Sequence, residues 1–163
     1  MSIQFNADEI LSIAEQVERN GDRFYRTAAE RQSDRETASL LVRLAEMEQG
    51  HLAIFSQMRS ELTAQERKPV TFDPYDESKL YLRATADRSI FDVSADLAQP
   101  LTGQETTEHI LEMGVQAEKD SIVYYLGMKD LVPARLGSDR VDAIIKEEMG
   151  HFATLSEMLA ELR

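Results

Sequence analysis

The chain has 163 residues, 42% hydrophobic and 29% charged, which suits one folded unit with a sizeable core and argues against a disordered chain. Thirty acidic residues against eighteen Lys and Arg give −12 at neutral pH, so the clustered basic charge that nucleic acids and anionic membranes require is missing. There is no cysteine, which excludes disulfides, thiolate metal sites and cysteine nucleophiles.

The opening residues MSIQFNADEI carry neither the basic nor the apolar stretch of a signal peptide. No later run approaches the roughly 18 apolar residues of a membrane span, so the expectation is a cytoplasmic protein. Asn6 and Glu9 have the spacing of a capping box. Ile10, Ile13, Ala14, Val17, Phe24 and Ala28 then keep helical spacing to about Gln32. Ser33 or Asp34 can cap a second helix bearing Leu40, Leu41, Leu44, Met47, His51, Ile54, Phe55, Met58 and Leu62. So short a turn predicts antiparallel neighbours.

Residues 63–103 read differently. Pro69, Pro74 and Pro100 interrupt them, and Phe72, Tyr75, Tyr81 and Phe91 do not alternate. A short helix is expected around Glu77–Thr85, with a further turn near Phe91, and nothing suggests a strand. About 40 residues are enough to cross the full length of a bundle. The signature Thr102-x-x-Glu105 predicts the start of a third helix through Ile110, Met113, Ala117, Val123 and Tyr124. Pro133 and Gly137 break the chain before a last helix from Ser138 or Asp139. Helices of about 25 residues are roughly 38 Å long. The expected fold is all-α, one domain over 1–163: a four-helix bundle of two hairpins, about 6–62 and 104–163, joined by the 63–103 crossover.

The two hairpins repeat each other at a shift of 100. Glu18 matches Glu118, Phe24-Tyr25 matches Tyr124-Tyr125, and EQGHLAIFSQM (48–58) matches EMGHFATLSEM (148–158). In Glu48-x-x-His51 and Glu148-x-x-His151 the two side chains leave one helix face a turn apart. That face also carries Leu44, Ile54, Phe55 and Met58, or Ile144, Ile145 and Leu155, and is therefore read as the buried one. Glu18 and Glu118 lie in apolar stripes as well. Burying these carboxylates unpaired costs several kcal/mol per ion, and the stripes hold no Arg or Lys. Four carboxylates matched by two divalent cations remove the conflict. The residues thus predict a dinuclear centre of Glu18, Glu48, His51, Glu118, Glu148 and His151, since one Glu from each of two helices and Glu-x-x-His from two others is the ferritin-like pattern.

Through IAEQVERNGDRFYRTAAE, LAEMEQGH, VQAEKDSIVYY and IIKEEMGH the chain resembles the diiron domain of the rubrerythrin family, in the ferritin-like superfamily, over essentially its whole length. The resemblance implies Glu18 and Glu118 as terminal ligands, Glu48 and Glu148 as bridging or chelating ones, and one metal on each of His51 and His151. It also implies that Tyr25 and Tyr125 donate hydrogen bonds to carboxylates across the bundle, fixing their orientation. Three departures stand out: no CxxC pairs of a rubredoxin-like domain, Ser121 in place of a carboxylate three residues after Glu118, and no short fifth helix of the kind that closes ferritin cages. The six-residue set is closer to the symmetric bacterioferritin pattern.

Other candidates read more simply as structure. Glu15 reads as a solvated flank residue, His109 as a surface histidine, Tyr124 and the methionines as core. Asp120 either orients a ligand or faces solvent. Gly50 and Gly150 point to close helix contact, to room near a metal, or to nothing beyond shared descent. The expected activity is oxidation of Fe(II) by O₂ or hydrogen peroxide at two irons, with manganese or a mixed pair also compatible. Peroxide reduction would need a separate electron donor. The alternative is a non-catalytic protein that binds, stores or delivers iron. A homodimer is expected from the frequency of C₂ assemblies, with exchange of hairpins between chains left open.

Overall fold

The computed structural model describes residues 4–68, residues 77, 80, 81 and 84, and residues 102–163. Four long helices account for most of these: α1 (Ala7–Arg31), α2 (Arg35–Ser60), α3 (Thr107–Lys129) and α4 (Ser138–Glu161). There is no strand among the described residues, and no helix among them is long and apolar enough to cross a membrane. Glu77, Leu80, Tyr81 and Ala84 are helical, as expected for that short segment. Phe72, Tyr75, Phe91 and the prolines at 69, 74 and 100 lie outside the described residues.

Local chemistry fixes the helix ends. The Asn6 side chain accepts from the Glu9 amide while the Glu9 carboxylate accepts from the Asn6 amide, both at 2.9 Å, which completes the capping box. Asp34 caps α2 by accepting from the Thr37 amide at 2.7 Å. The third helix starts later than Thr102-x-x-Glu105 predicts. Its cap is Thr106, which accepts from the His109 amide. Glu105 folds back onto the Thr102 and Gly103 amides instead, and these bonds hold its carboxyl down at about 2. Gly103 has φ +81, a left-handed turn that no capping box contains. Before α4 a single 3-10 turn, Ala134–Leu136, ends at Gly137 with φ +92, the conformation that lets the chain reverse beside Ala7.

Contacts at the ends define the topology. Arg59 near the end of α2 pairs with Asp8 at the start of α1, so α1 and α2 are antiparallel. Arg163 just beyond α4 pairs with Glu108 and Glu112 at the start of α3, so α3 and α4 are antiparallel too. The Phe5 amide donates to the Leu131 carbonyl at one end of the bundle, and Thr37 meets Thr107 through their hydroxyls at the other. The end of α2 and the start of α3 therefore lie at opposite ends of the bundle.

The core is split in two. Phe5, Ile10, Leu11, Phe55, Leu136 and Ile144 pack at one end; Phe24, Leu40, Leu41, Leu44, Ile110 and Leu111 pack at the other. Two expected core positions face out: Ile54 is 37% exposed and Val123 63%. Each falls on the outer edge of its helix, where the 3.6-residue period carries an apolar stripe out of the interface.

Candidate metal centre

Between the two apolar clusters lies a buried polar layer. Glu18 on α1, Glu48 and His51 on α2, Glu118 on α3 and Glu148 on α4 are all buried, and His151 on α4 is nearly so. One potential ligand atom from each member lies within 4.8 Å of the others in three overlapping groups: Glu48–His51–His151, Glu18–His51–Glu148, and Glu118–Glu148–His151. Together these groups contain all six residues that the internal repeat predicts. Each helix supplies its share at the level where the two halves meet.

The repeat is visible in the geometry. In the first hairpin His51 Nδ1 faces Glu18 Oε2 at 3.6 Å; in the second His151 Nδ1 and Glu118 Oε1 share a hydrogen bond at 3.1 Å. Phe24–Tyr25 and Tyr124–Tyr125 adopt the same edge-on arrangement, both with ring centroids 5.2 Å apart. A side chain at Gly114 would come within 3.2 Å of the Tyr25 hydroxyl, so Tyr25 reaches from α1 to α3, one turn before Glu118. The Tyr125 hydroxyl is buried and has no hydrogen-bond partner among the described residues. The donation to a carboxylate that the family resemblance implies is therefore not made by Tyr125 here.

Electrostatics mark the layer as unbalanced. Among the described residues the ion-pair partners of Glu18 and Glu118 are His51 and His151, and no Arg or Lys reaches any of the four carboxylates. Burial pushes Glu18 up to about 8. Burial and then the Glu18 charge hold Glu48 well above the carboxylate range, and burial with the Glu18 and Glu118 charges does the same for Glu148. Burial and then the neighbouring His151 bring His51 down to about 4, and burial beside the acids raises both Tyr25 and Tyr125. Among the described residues five buried side-chain atoms have no hydrogen-bond partner: Asn20 Nδ2, Tyr125 OH and, within the layer, Glu18 Oε2, His51 Nδ1 and Glu148 Oε1. Residues Glu18, His51 and Glu148 form one of the three groups. Buried acceptors without hydrogen bonds, on residues whose ligand atoms gather within 4.8 Å, fit a cation, because a cation is what carboxylate oxygens and a neutral imidazole nitrogen can bind together.

Other candidates fall outside the layer. Glu15 is not a solvated flank residue: it is 7% exposed and pairs with Arg59 at 3.1 Å, because α2 crosses α1 there and brings the guanidinium over it. His109 is exposed. Asp120 accepts from Gln116 one turn earlier, at 2.8 Å. Gly50 and Gly150 are exposed, with nothing within 4 Å of an added side chain, which excludes close helix contact at either. Sequence reasoning passed over Gly21 and Asn20. Both lie within three residues of Glu18 on α1 and are buried.

The family model for rubrerythrin matches residues 2–59. A search of curated proteins gives no match. Among solved structures, a proposed ferritin-like diiron-carboxylate protein from Thermotoga maritima is similar at 26% identity, with a TM-score of 0.60 and 100% of each chain covered. The fold and the buried Glu/His layer thus define the chain as a ferritin-like four-helix protein. The match to the rubrerythrin model is confined to the first hairpin, residues 2–59.

Proposed function

We propose that this chain is a diiron-carboxylate oxidoreductase that oxidises Fe(II) with O₂ or hydrogen peroxide. The observation that carries the reading is that Glu18, His51 and Glu148, each with a buried atom that makes no hydrogen bond, bring potential ligand atoms within 4.8 Å of one another, in a layer with no Arg or Lys among the described residues to balance it. In this reading Glu18, Glu48, Glu118 and Glu148 supply four negative charges, which two divalent irons neutralise. His51 and His151 each offer Nδ1 to one iron. When bound, the iron pair supplies two electrons at adjacent positions for reduction of one oxidant.

The protein's own residues set the conditions for that chemistry. The apolar clusters at each end keep bulk water out, which strengthens every charge interaction in the layer. Glu18, which burial pushes up to about 8, can hold a proton near neutral pH that a metal would displace. Carboxylates favour the ferric state, and imidazole suits iron. The sequence has no cysteine, so repeated peroxide turnover calls for electrons from a separate donor. The similar Thermotoga structure, described as diiron-carboxylate, supports iron over manganese. A cytoplasmic homodimer completes the proposal.

Stopped-flow mixing of the anaerobically Fe(II)-loaded protein with peroxide, and separately with O₂, tests the reading. Oxidation much faster than that of free Fe(II) in the same buffer is expected. Equal rates would leave binding without catalysis.

A further inference from the structure

We infer that Gly21 is a positioning residue for Glu48, and that Ser121 at the matching place in the second hairpin makes the two halves of the site unequal. The inference rests on the metal-centre reading above. Gly21 is buried on α1, one helical turn after Glu18, and so on the face that looks into the layer. A β-carbon built there would stand 2.9 Å from Glu48 Cδ and 3.1 Å from both its Cγ and its Oε1. That is inside the contact distance of two carbon atoms. The Glu48 side chain therefore lies in the space that any other residue at position 21 would fill.

The glycine is not there for the helix. In a helix interior alanine is the better residue, and Gly21 has ordinary helical backbone within an unbroken α1. Nor can Glu48 yield toward solvent, since it is 6% exposed. A side chain at 21 would instead shift the carboxylate within the layer, where it is now grouped with His51 and His151.

The duplicated hairpin is an internal control. Position 121 holds a serine that is 3% exposed, with the β-carbon and hydroxyl that position 21 lacks. Glu148 therefore cannot lie against α3 as Glu48 lies against α1. It keeps one buried oxygen, Oε1, without a partner. The two Glu-x-x-His carboxylates thus meet different residues at the matching place on the preceding helix, a glycine at 21 and a serine at 121.

Co(II) titration of the full chain tests this, with bound metal measured by equilibrium dialysis, coordination followed by visible absorption, and folding checked by circular dichroism. Gly21→Ala should fold and hold one of its two Co(II) ions about tenfold or more weakly, while Ser121→Gly keeps both. Adding Glu48→Asp to Gly21→Ala withdraws the carboxylate by one methylene and should recover part of the loss. Should Gly21→Ala fail to fold, recovery of folding in that double variant supports the inference. Failure to recover, when Glu48→Asp alone folds, overturns it. Wild-type affinity for both ions in Gly21→Ala also overturns it, as does an equal loss in Ser121→Gly. If the wild-type chain binds no Co(II), the metal-centre reading fails first and the inference with it.

Discussion

The imidazoles of His51 and His151 lie face to face, with ring planes 13° apart, although they come from helices on opposite sides of a long crossover. Their contact is where the duplicated hairpins meet. It turns two half-sites, each one Glu plus one Glu-x-x-His, into a single buried layer. His51 also neighbours Phe55, so the layer passes directly into the apolar cluster on that side.

Because the acids are buried without cation partners, the metal-free protein should gain from losing one. Glu48→Gln is expected to raise the melting temperature in chelator at pH 8, by an amount equivalent to about 1–3 kcal/mol. It should also lower metal occupancy. Calorimetric melts with and without added Mn(II) would show the two effects with opposite signs. A variant less stable than wild type in chelator would mean that Glu48 is balanced by something other than metal.

The pH dependence of the metal-free protein follows from Glu18. Its folded value, about 8, lies above its ordinary 4.5, so the folded state binds the proton more tightly. The stability this contributes is fully present below about pH 4.5 and is lost as pH rises through about 8. Glu48 and Glu148 are raised also and act in the same direction. Denaturant melts in chelator should show stability falling from pH 6 to pH 8. In saturating metal the trend should reverse, because metal and protons compete for the same oxygens.

Arg59 gives a prediction away from the layer. It pairs with Asp8 at 2.8 Å and with the buried Glu15 at 3.1 Å, tying the end of α2 to the start of α1. Asp8 is held below its ordinary value, chiefly by its hydrogen bond from Arg59. Arg59→Ala should destabilise the protein by about 1–2 kcal/mol at pH 7. The Asp8 part of that loss should fade as pH falls through the lowered Asp8 value. Metal content should not change. Urea melts at pH 7 and pH 3, with elemental analysis, check each part.

The helices and the six layer residues were legible in the sequence for a physical reason. Apolar spacing reports burial, and a carboxylate inside an apolar stripe is costly enough to be kept only for use. Duplication then separated Glu18, Glu48, Glu118 and Glu148 from the many surface acids of a chain with thirty. Other features depend on neighbours distant in sequence. Glu15 reads as a flank residue until Arg59 arrives over it from α2. Gly21 reads as an ordinary glycine until the Glu48 side chain is seen to occupy its space. Thr102 and Glu105 have capping-box spacing, but the left-handed Gly103 between them diverts the carboxylate into a loop bond.

Assembly can be tested independently of chemistry. Ile54, Val123, Leu126 and Met149 are apolar and 37%, 63%, 51% and 56% exposed, more than a lone surface residue or two. The expected state is a C₂ dimer. Multi-angle light scattering should give twice the chain mass. A single-chain mass would contradict this, and so would one many times larger.

The most direct test of the central claim is metal content. Protein loaded with Fe(II) under anaerobic conditions, freed of excess metal and analysed for iron against protein concentration, should hold about two irons per chain. Glu148→Ala should reduce that value while circular dichroism remains helical. Less than about one iron per chain in folded wild-type protein would contradict a dinuclear centre built from Glu18, Glu48, His51, Glu118, Glu148 and His151.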